Sequence, residues 1–469
     1  MKKAMVMVLT VTIALSLTGC ITGRIYGVPL DPATDTTVTR CYSDIAKIVE
    51  FMKTGDLESI NARGFHAGEA DAETFEDFWA QWESLRKTYG QPTEMTLPET
   101  YDFGKYYIAV ADLAMENGGD LMLQAEYDMD YQLLQLYLYE TGEAFLAHTQ
   151  MPEGIEEIDV VVGEGTDHEL PGKITKPVNV SEADALKAAV LVGGDGSNTM
   201  DMKAGNTYLY RDLAWKLAEE GIVSIRFDKR TLVYQEEALD EAADVSVFTV
   251  AWEYTEDAIR AAEVLKALPY VDESQIWYIG HSQGAQVASR VDTEAGGLFA
   301  GFVLINSSPR GWWEVAYDQY INYGLIDRSS EEIYYLVSKV KTERDFIADG
   351  SCEKMNEQEL AQTFILTRAA GFWVDYRSFD YVAAFKELAK PTFILQGGTD
   401  YQITEDVDFA AWQEELAGCD WAEMKSYEGL NHLLVESKGA FAGHYKEYDI
   451  PGLADEGALS DIAAFILQH

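Results

Sequence analysis

The sequence is poor in cysteine, in basic residues and in closely spaced histidines, and each shortage excludes a class of protein. Only four cysteines occur in 469 residues, at wide spacing, so a disulfide framework is not expected. No cysteine pair has the spacing of a metal site and the seven histidines form no close pair, so we predict no metal. The 35 Lys and Arg against 80 Asp and Glu give a formal charge of -45, which disfavours nucleic acid as a partner.

An apolar run long enough to suggest a membrane segment occurs only at the start of the sequence. Residues 1–20, MKKAMVMVLTVTIALSLTGC, begin with two lysines after the methionine and continue with a stretch that is short for a bilayer span. The final Leu-Thr-Gly-Cys resembles the lipobox of bacterial lipoproteins, in which the cysteine carries lipid. We therefore predict a signal peptide over 1–20, lipidation at Cys20, a tether over 21–35 and an exported protein anchored to the extracytoplasmic face of the membrane. A simple N-terminal anchor is the alternative.

The hydrophobic pattern changes at about residue 150. Residues 36–150 show helical spacing followed by alternating strands with a hairpin at Asn117-Gly118-Gly119, which predicts a small α+β domain. Residues 151–469 alternate between strand and helix patterns, as in a mostly parallel sheet that is covered on both faces. Such sheets place their sites at the carboxyl ends of the strands.

Three finer features are predicted within the second region. One helix ends at Gly221, and another begins with Thr255 as its N-cap. A long insertion, about 309–390, separates two strand patterns, shows helical spacing and is rich in aromatic residues, so it is a candidate lid. These aromatic residues either hold an acyl or aryl group of modest size or pack only on one another. They are Trp312, Trp313, Tyr317, Tyr320 and Tyr323.

The segment WYIGHSQGAQVA, residues 277–288, carries a candidate nucleophile. Its Gly-His-Ser-Gln-Gly lies between a strand pattern and a helix pattern, which is the setting of a nucleophile elbow, a strained turn that exposes a serine hydroxyl. The two glycines let the backbone pass without a Cβ clash. A bare Gly-x-Ser-x-Gly also occurs in loops by chance, but the strand–turn–helix setting favours Ser282 as a nucleophile.

A serine nucleophile needs a base, and in hydrolases with this turn the histidine comes last along the chain. Three histidines follow Ser282. His432 lies in a loop after a strand pattern, whereas His444 lies in a polar segment and His469 is the last residue. We therefore predict His432 as the base. The alternative is a loop histidine paired with a backbone carbonyl.

The base needs an acidic partner, which is expected after the penultimate strand. The segment PTFILQGGTDYQITED places Asp400 there. Asp406 and Asp408 are the alternatives, although solvated or helix-capping roles suit them better.

Two backbone N–H groups are needed to bind a developing oxyanion. One belongs to Gln283, the residue after the candidate nucleophile. The second is expected in the loop GGDGSNTMD, whose glycines allow close approach, and we assign it to Asp195. A phosphate-cradling loop is the alternative, but the Lys-Ser/Thr ending of a P-loop is missing.

Several segments together resemble the α/β-hydrolase superfamily, and within it bacterial exported esterase-like proteins with the N-terminal domain DUF3887. These segments are LPGKITKP, LVGGDGSNTMD, GIVSIRFDKRT, IGHSQGAQVA, ILQGGTDYQIT and GLNHLL. The resemblance covers most of the chain from about residue 40. It implies an α/β-hydrolase fold with a helical lid, which follows the α+β domain along the chain, and it implies Ser282, Asp400 and His432 as a triad. Relatives commonly have His-Gly-Ser-Gly-Pro where this chain has Gly-Gly-Asp-Gly-Ser at 193–197, and we expect the Asp195 side chain to point away from the oxyanion.

These residues predict a serine hydrolase that cleaves small-molecule carboxylic esters through an acyl-enzyme on Ser282, without a cofactor. The same triad also serves serine peptidases and acyltransferases, and a catalytically inert lipoprotein binding module is the alternative of another class. Arg226, Lys229 and Arg230 follow a strand near the active end of the sheet. They either bind a substrate carboxylate or form structural salt bridges, which is commoner in a chain this acidic.

Overall fold

The computed structural model describes most of the chain after residue 27. The described residues are 28–30, 35–62, 75–103, 106–141, 150–205, 207–235, 248–324, 331–366, 368–439, 441–443, 447–448 and 450–469. Cys20, the signal peptide and most of the tether lie outside them, so lipidation and export remain predictions. In this part of the chain no helix has both the length and the apolar character needed to span a membrane.

The described residues up to 141 form three helices and an antiparallel sheet. In chain order the elements are β1 (Val28–Pro29), α1 (Thr36–Thr54), α2 (Leu57–Asn61), α3 (Phe75–Tyr89), β2 (Pro92–Met95), β3 (Glu99–Asp102), β4 (Tyr106–Met115), β5 (Asp120–Asp128) and β6 (Leu133–Thr141). The strands lie in the order β1-β3-β4-β5-β6, with β2 paired to β4. The chain turns between β4 and β5 at Gly118 and Gly119, whose φ values of 88° and 87° suit glycine. The predicted hairpin is therefore confirmed.

Two of these helices cover one face of the antiparallel sheet. Ile45 and Ile48 of α1 are fully buried, as are Phe78 and Trp82 of α3. All four belong to one hydrophobic cluster with alternate residues of β4 and β5. Burying an apolar side chain of this size stabilises the fold by roughly 1.5–3 kcal/mol. The helical and alternating patterns thus build the α+β arrangement expected from them.

From residue 155 onward the chain alternates between strands and helices. The strands are β7 (Ile155–Val162), β8 (Leu170–Pro177), β9 (Leu186–Val192), β10 (Lys203–Ala204), β11 (Thr207–Tyr208), β12 (Val223–Phe227), β13 (Val271–His281), β14 (Phe302–Ile305), β15 (Phe364–Ile365), β16 (Arg368–Ala369), β17 (Thr392–Gly397) and β18 (Ala422–Tyr427). The helices are α4 (Leu209–Glu219), α5 (Arg230–Val233), α6 (Glu256–Lys266), α7 (Gln283–Gln286), α8 (Ala288–Glu294), α9 (Trp312–Gly324), α10 (Glu331–Ala348), α11 (Glu357–Gln362), α12 (Ala370–Arg377), α13 (Tyr381–Leu388), α14 (Ala410–Glu415) and α15 (Glu456–Gln468). Two π-helical turns, Ala251–Thr255 and Glu405–Phe409, and a 3-10 turn, Cys352–Lys354, complete the description.

Eight of these strands form one mostly parallel sheet. Their order is β18-β17-β14-β13-β9-β12-β8-β7, and of the described strands in it only β8 runs opposite to the common direction of the others. Successive residues of β9 face opposite sides, so that Val190 packs with α6 and α8 and Leu191 packs with α4 and α15. Both faces are covered, which explains the unbroken apolar run of β9. This is the α/β-hydrolase fold predicted from the sequence, and a small α+β unit precedes it along the chain.

The sequence predicts two helix boundaries in this region, and one prediction is wrong. Gly221 follows α4 with a φ of 84°, which confirms the predicted end of that helix. Thr255 is not an N-cap, because its φ of -65° and ψ of -49° are helical and its side chain makes no capping hydrogen bond. The π-helical turn Ala251–Thr255 runs directly into α6. Trp252 and Tyr254 are buried and extend the apolar face of this helix one turn further than the pattern suggests.

The helices α9 to α13 lie between β14 and β17, within the predicted lid insertion. The insertion is bonded to the helices that follow β13. Arg290 of α8 donates to Asp375 of α12 at 2.7 Å, and the Tyr376 hydroxyl donates to Gln286 of α7 at 2.6 Å. These contacts hold the insertion beside the turn that carries the candidate nucleophile.

Candidate active site

Ser282 lies on a sharp turn between β13 and α7. Its backbone has φ 55° and ψ -125°, a region that residues other than glycine rarely adopt. Its N–H donates to the Ile305 carbonyl of β14 at 2.9 Å, which fixes the turn to the sheet. A Cβ atom at Gly280 would collide with the Ala285 backbone, and one at Gly284 would collide with the neighbouring loop, so both glycines are required by close approach. This is the geometry of a nucleophile elbow.

His432 and Asp400 form a hydrogen-bonded pair in the loops that follow β18 and β17. His432 Nδ1 lies 2.6 Å from Asp400 Oδ2. The other carboxylate oxygen of Asp400 accepts the N–H groups of Gln402 at 2.7 Å and Ile403 at 3.0 Å. A carboxylate beside Nδ1 places the imidazole proton there, which leaves Nε2 as the atom that accepts a proton. The arrangement suits a general base.

Both members of this pair are buried, and burial sets the charge of the histidine. Burial lowers the pKa of His432 to about 3, so its neutral form predominates at neutral pH. Burial also raises the pKa of Asp400, and the two backbone N–H bonds oppose that change. The carboxylate form is the one whose oxygens match the three N–H donors around it.

The backbone of His432 is held by two side chains that the sequence analysis did not single out. Its carbonyl accepts a hydrogen bond from His281 Nε2 at 2.8 Å and from Asn306 Nδ2 at 2.8 Å. Asn306 follows β14 and also accepts the Gly397 N–H at 2.7 Å. His281 ends β13 and Asn306 directly follows β14, so the signal available in the sequence was the place of each residue at the carboxyl end of a predicted strand.

Ser282 and His432 line one cavity that is open to solvent. Among the described residues no hydrogen bond joins the Ser282 hydroxyl to His432. Of the aromatic residues singled out in the insertion, Trp312 lines this cavity, while Trp313, Tyr317 and Tyr320 pack against the core. The side chain of Tyr323 lies outside the described residues. The other residues that line the cavity are Gly194, Asp195, Asn198, Met202, Lys203, Ala204, His281, Gln319, Gln402, Leu433 and Tyr448.

The loop after β9 lies directly against the nucleophile turn. A Cβ atom at Gly194 would stand 2.9 Å from the Ser282 Cβ, so glycine permits this approach. The two predicted oxyanion donors are the N–H groups of Asp195 and Gln283. Neither donates to a protein acceptor in the part of the chain that the structure describes. The assignment of these two N–H groups as oxyanion donors therefore stays a prediction.

The Asp195 carboxylate has partners of its own. It accepts the Gly196 N–H at 2.8 Å and pairs with the guanidinium of Arg368 in β16. The sequence analysis missed Arg368, which lies 173 positions away in a strand of two residues inside the insertion. No local pattern could have identified it.

The three basic residues at the end of β12 and directly after it are structural. Arg226, Lys229 and Arg230 are almost completely buried, and each is bonded to carboxylates, which confirms the salt-bridge interpretation and leaves them unavailable to a substrate carboxylate. The pairs are Arg226 with Glu157 and Asp201, Lys229 with Glu253, and Arg230 with Asp257 and Glu256.

The described alternatives to Asp400 and His432 are exposed or have other partners. Asp406 is exposed, and Asp408 accepts hydrogen bonds from Arg310 and from the Thr404 N–H. His469 stands 3.6 Å from Glu423, and His444 lies outside the described residues. Cys41, Cys352 and Cys419 are free thiols. No group of three metal-binding side chains comes together within the described ranges.

Comparison with known proteins shows which family this chain belongs to. The Alpha/beta hydrolase family matches residues 207–443. Esterase EstD of Thermotoga maritima is 31% identical over 321 residues, which cover 68% of this chain and 69% of that protein.

Among solved structures, Est1E from Butyrivibrio proteoclasticus is 12% identical over 66% of this chain and 98% of its own, with a TM-score of 0.41. A puromycin-hydrolyzing peptidase of Mycobacterium tuberculosis is 14% identical over 78% of this chain and 46% of its own, with a TM-score of 0.40. These two scores are too low to carry an argument, but the family match and the first relative suffice: the chain belongs to the alpha/beta hydrolase family.

Proposed function

We propose that this hydrolase cleaves carboxylic esters through an acyl-enzyme formed on Ser282. The observation that carries the proposal is the hydrogen-bonded pair of His432 and Asp400, at 2.6 Å, beside the cavity that Ser282 lines. The similarity to Esterase EstD supports an ester as the substrate.

In the proposed reaction His432 Nε2 accepts the Ser282 proton while the serine oxygen attacks the ester carbonyl carbon. The resulting oxyanion is bound by the N–H groups of Gln283 and Asp195, each typically worth about 3 to 4 kcal/mol. His432 then gives its proton to the departing alkoxide, which leaves as the alcohol. Water next attacks the acyl-enzyme, with His432 again taking and returning a proton, and the carboxylic acid is released. Asp400 orients the imidazole and stabilises its charged form.

The lining of the cavity offers both apolar and polar surface to a small molecule. Met202, Trp312 and Leu433 offer apolar surface for an acyl or aryl group, while Asn198 and Gln402 offer polar atoms that orient the substrate.

A pair of substrates that differ only in the scissile bond tests this proposal. An ester and the matching amide of the same acyl group are compared for the ratio kcat/KM, with release of the acyl group to water or to an added alcohol measured as well. We expect the ester to be hydrolysed and the amide to remain at background. A kcat/KM for the amide within about tenfold of that for the ester would favour a peptidase, because the enzyme would then bind the transition states of both reactions about equally well. Preferential transfer to the alcohol would favour an acyltransferase, and no turnover at all would favour a binding module.

Activity is expected to persist below the pH at which an ordinary histidine titrates. His432 must be neutral to accept the serine proton, and burial lowers its pKa from 6.5 to about 3, although the charge of the Asp408 carboxylate opposes part of that shift. Activity is therefore lost only as the pH falls through the lowered value. We expect the acid limb of kcat/KM, measured from about pH 4 to about pH 8, to have its midpoint clearly below about 6.5. A midpoint at or above that value would show that burial does not control this group.

A further inference from the structure

A cluster of buried charges lies behind the loop that carries Asp195. Lys229 and Glu253 pair at 2.6 Å, and Arg368 of β16 binds Glu253 from the other side. We call Lys229, Glu253 and Arg368 the charge network. Buried ion pairs are weak contributors to stability, because desolvation offsets their attraction. Their presence beside a candidate active site therefore calls for an explanation other than stability.

Lys229 fixes the direction of the peptide between Gly194 and Asp195, together with Asn198, whose Nδ2 donates to the same Gly194 carbonyl at 3.0 Å. Its ammonium group has three protons, and it donates to the Gly194 carbonyl at 2.6 Å, to Glu253 at 2.6 Å and to the Tyr254 hydroxyl at 2.9 Å. The C=O and N–H of a trans peptide point in opposite directions. Because the Gly194 carbonyl points at Lys229, the Asp195 N–H points away from it. The cation also polarises this peptide, which strengthens the N–H as a donor.

Arg368 acts on both residues whose N–H groups are the proposed oxyanion donors. Its guanidinium pairs with the Asp195 carboxylate and donates to the Gln283 side-chain oxygen at 3.0 Å. Without Arg368 the Asp195 carboxylate would repel a developing oxyanion at the neighbouring N–H. Burial alone would raise the pKa of Glu253, but Arg368 and Lys229 together lower it to about 2, so Glu253 is ionised at neutral pH.

We infer that the charge network positions the oxyanion hole, with Lys229 directing the Asp195 N–H and Arg368 cancelling the charge of the Asp195 carboxylate. The inference rests on the proposed function of Ser282. Lys229 and Arg368 are positioning residues, because they act through the peptide and the carboxylate of the loop. Arg368 belongs to the insertion, so the insertion contributes to the oxyanion site as well as to the cavity wall.

Charge removal and its reversal test this inference in the full chain. Arg368→Gln leaves the Asp195 carboxylate uncompensated, which penalises the transition state more than the bound substrate. We expect kcat for an ester to fall roughly 100-fold while KM stays within about twofold. Adding Asp195→Asn removes the repelling charge, and the double variant should recover to within about fivefold of the parent kcat.

Arg290 provides the matched control, because its ion pair with Asp375 also binds the insertion to the rest of the hydrolase fold. The two arginines are similarly buried, with side chains 8% exposed for Arg290 and 15% for Arg368. Arg290→Gln should change kcat less than about threefold, since its partner Asp375 is not in the oxyanion loop. An equal loss in both arginine variants, or no recovery on adding Asp195→Asn, would overturn the inference and leave Arg368 a simple anchor.

Two further measurements keep the outcomes separable. If Arg368→Gln does not fold, Arg368→Lys retains the charge and should keep kcat within about tenfold, and a loss of about 100-fold would contradict charge cancellation. Labelling of Ser282 by a fluorophosphonate is followed in the parent protein. If Ser282 of the parent protein is not labelled, the proposed function itself is overturned. If Ser282 is labelled but the kcat of the double variant does not recover, only the role of the charge network is overturned.

Discussion

Replacing Ser282 with alanine is expected to lower kcat for ester hydrolysis by a factor on the order of 10⁴ to 10⁶. The hydroxyl oxygen is the only heavy atom that the substitution removes. The strained turn that presents it is fixed by the Ile305 carbonyl and by the close approach of the backbone at Gly280 and Gly284. The variant should therefore fold normally. The residual rate comes from substrate binding and from the N–H donors, which the substitution leaves in place.

Ser289→Ala is the matched control for this variant. Ser289 is a fully buried serine in α8, a short distance along the chain, and its hydroxyl donates to the Tyr381 carbonyl at 2.8 Å. Its loss should change stability by about 1 kcal/mol and leave kcat within about threefold. A folded Ser282→Ala protein that kept more than about one hundredth of the parent kcat would contradict the assignment of the nucleophile.

Asp400→Asn is expected to lower kcat by a factor on the order of 10³ to 10⁴ with little change in KM. The Gln402 and Ile403 N–H groups hold one carboxylate oxygen of Asp400. In the variant the amide oxygen takes that position, and the amide nitrogen faces His432 Nδ1. Since that nitrogen only donates, Nδ1 must accept and the imidazole proton moves to Nε2, the wrong atom for a general base.

Asp406→Asn controls for the loss of a negative charge in the same loop. Asp406 is exposed, lies six positions from Asp400, and is the second residue of the π-helical turn Glu405–Phe409. Its substitution should leave kcat within about twofold, as is usual for exposed positions. Equal activities of the two variants would remove Asp400 from the mechanism and with it the case for His432 as the base.

The fold and the candidate residues could be predicted because each has a signal along the chain. The apolar run of β9 reflects burial on both faces of a sheet, and the alternation of strands and helices reflects their parallel order. Ser282, Asp400 and His432 each follow a predicted strand, and parallel strands end at one edge. The order along the chain therefore determines which polar residues meet.

The supporting contacts could not be predicted because they join distant residues without a local pattern. Arg368 pairs with Glu253 and Asp195, which are 115 and 173 positions away. A sequence this acidic offers many carboxylates to each arginine, so composition does not select the partner. The same holds for Asn306, which binds a backbone carbonyl that any residue could supply at 432. Such contacts depend on how the loops pack, which the periodicity of the elements does not encode.

Reaction of the protein with a fluorophosphonate, followed by peptide mass mapping, tests the central claim most directly. An activated serine oxygen attacks the phosphorus and displaces fluoride, while the hydroxyl proton passes to the base, and a stable phosphonyl group remains on the serine. We predict that one phosphonyl group per chain appears on Ser282 and that ester hydrolysis is lost at the rate of labelling. Labelling of another residue, or complete loss of activity with Ser282 unmodified, would contradict the account.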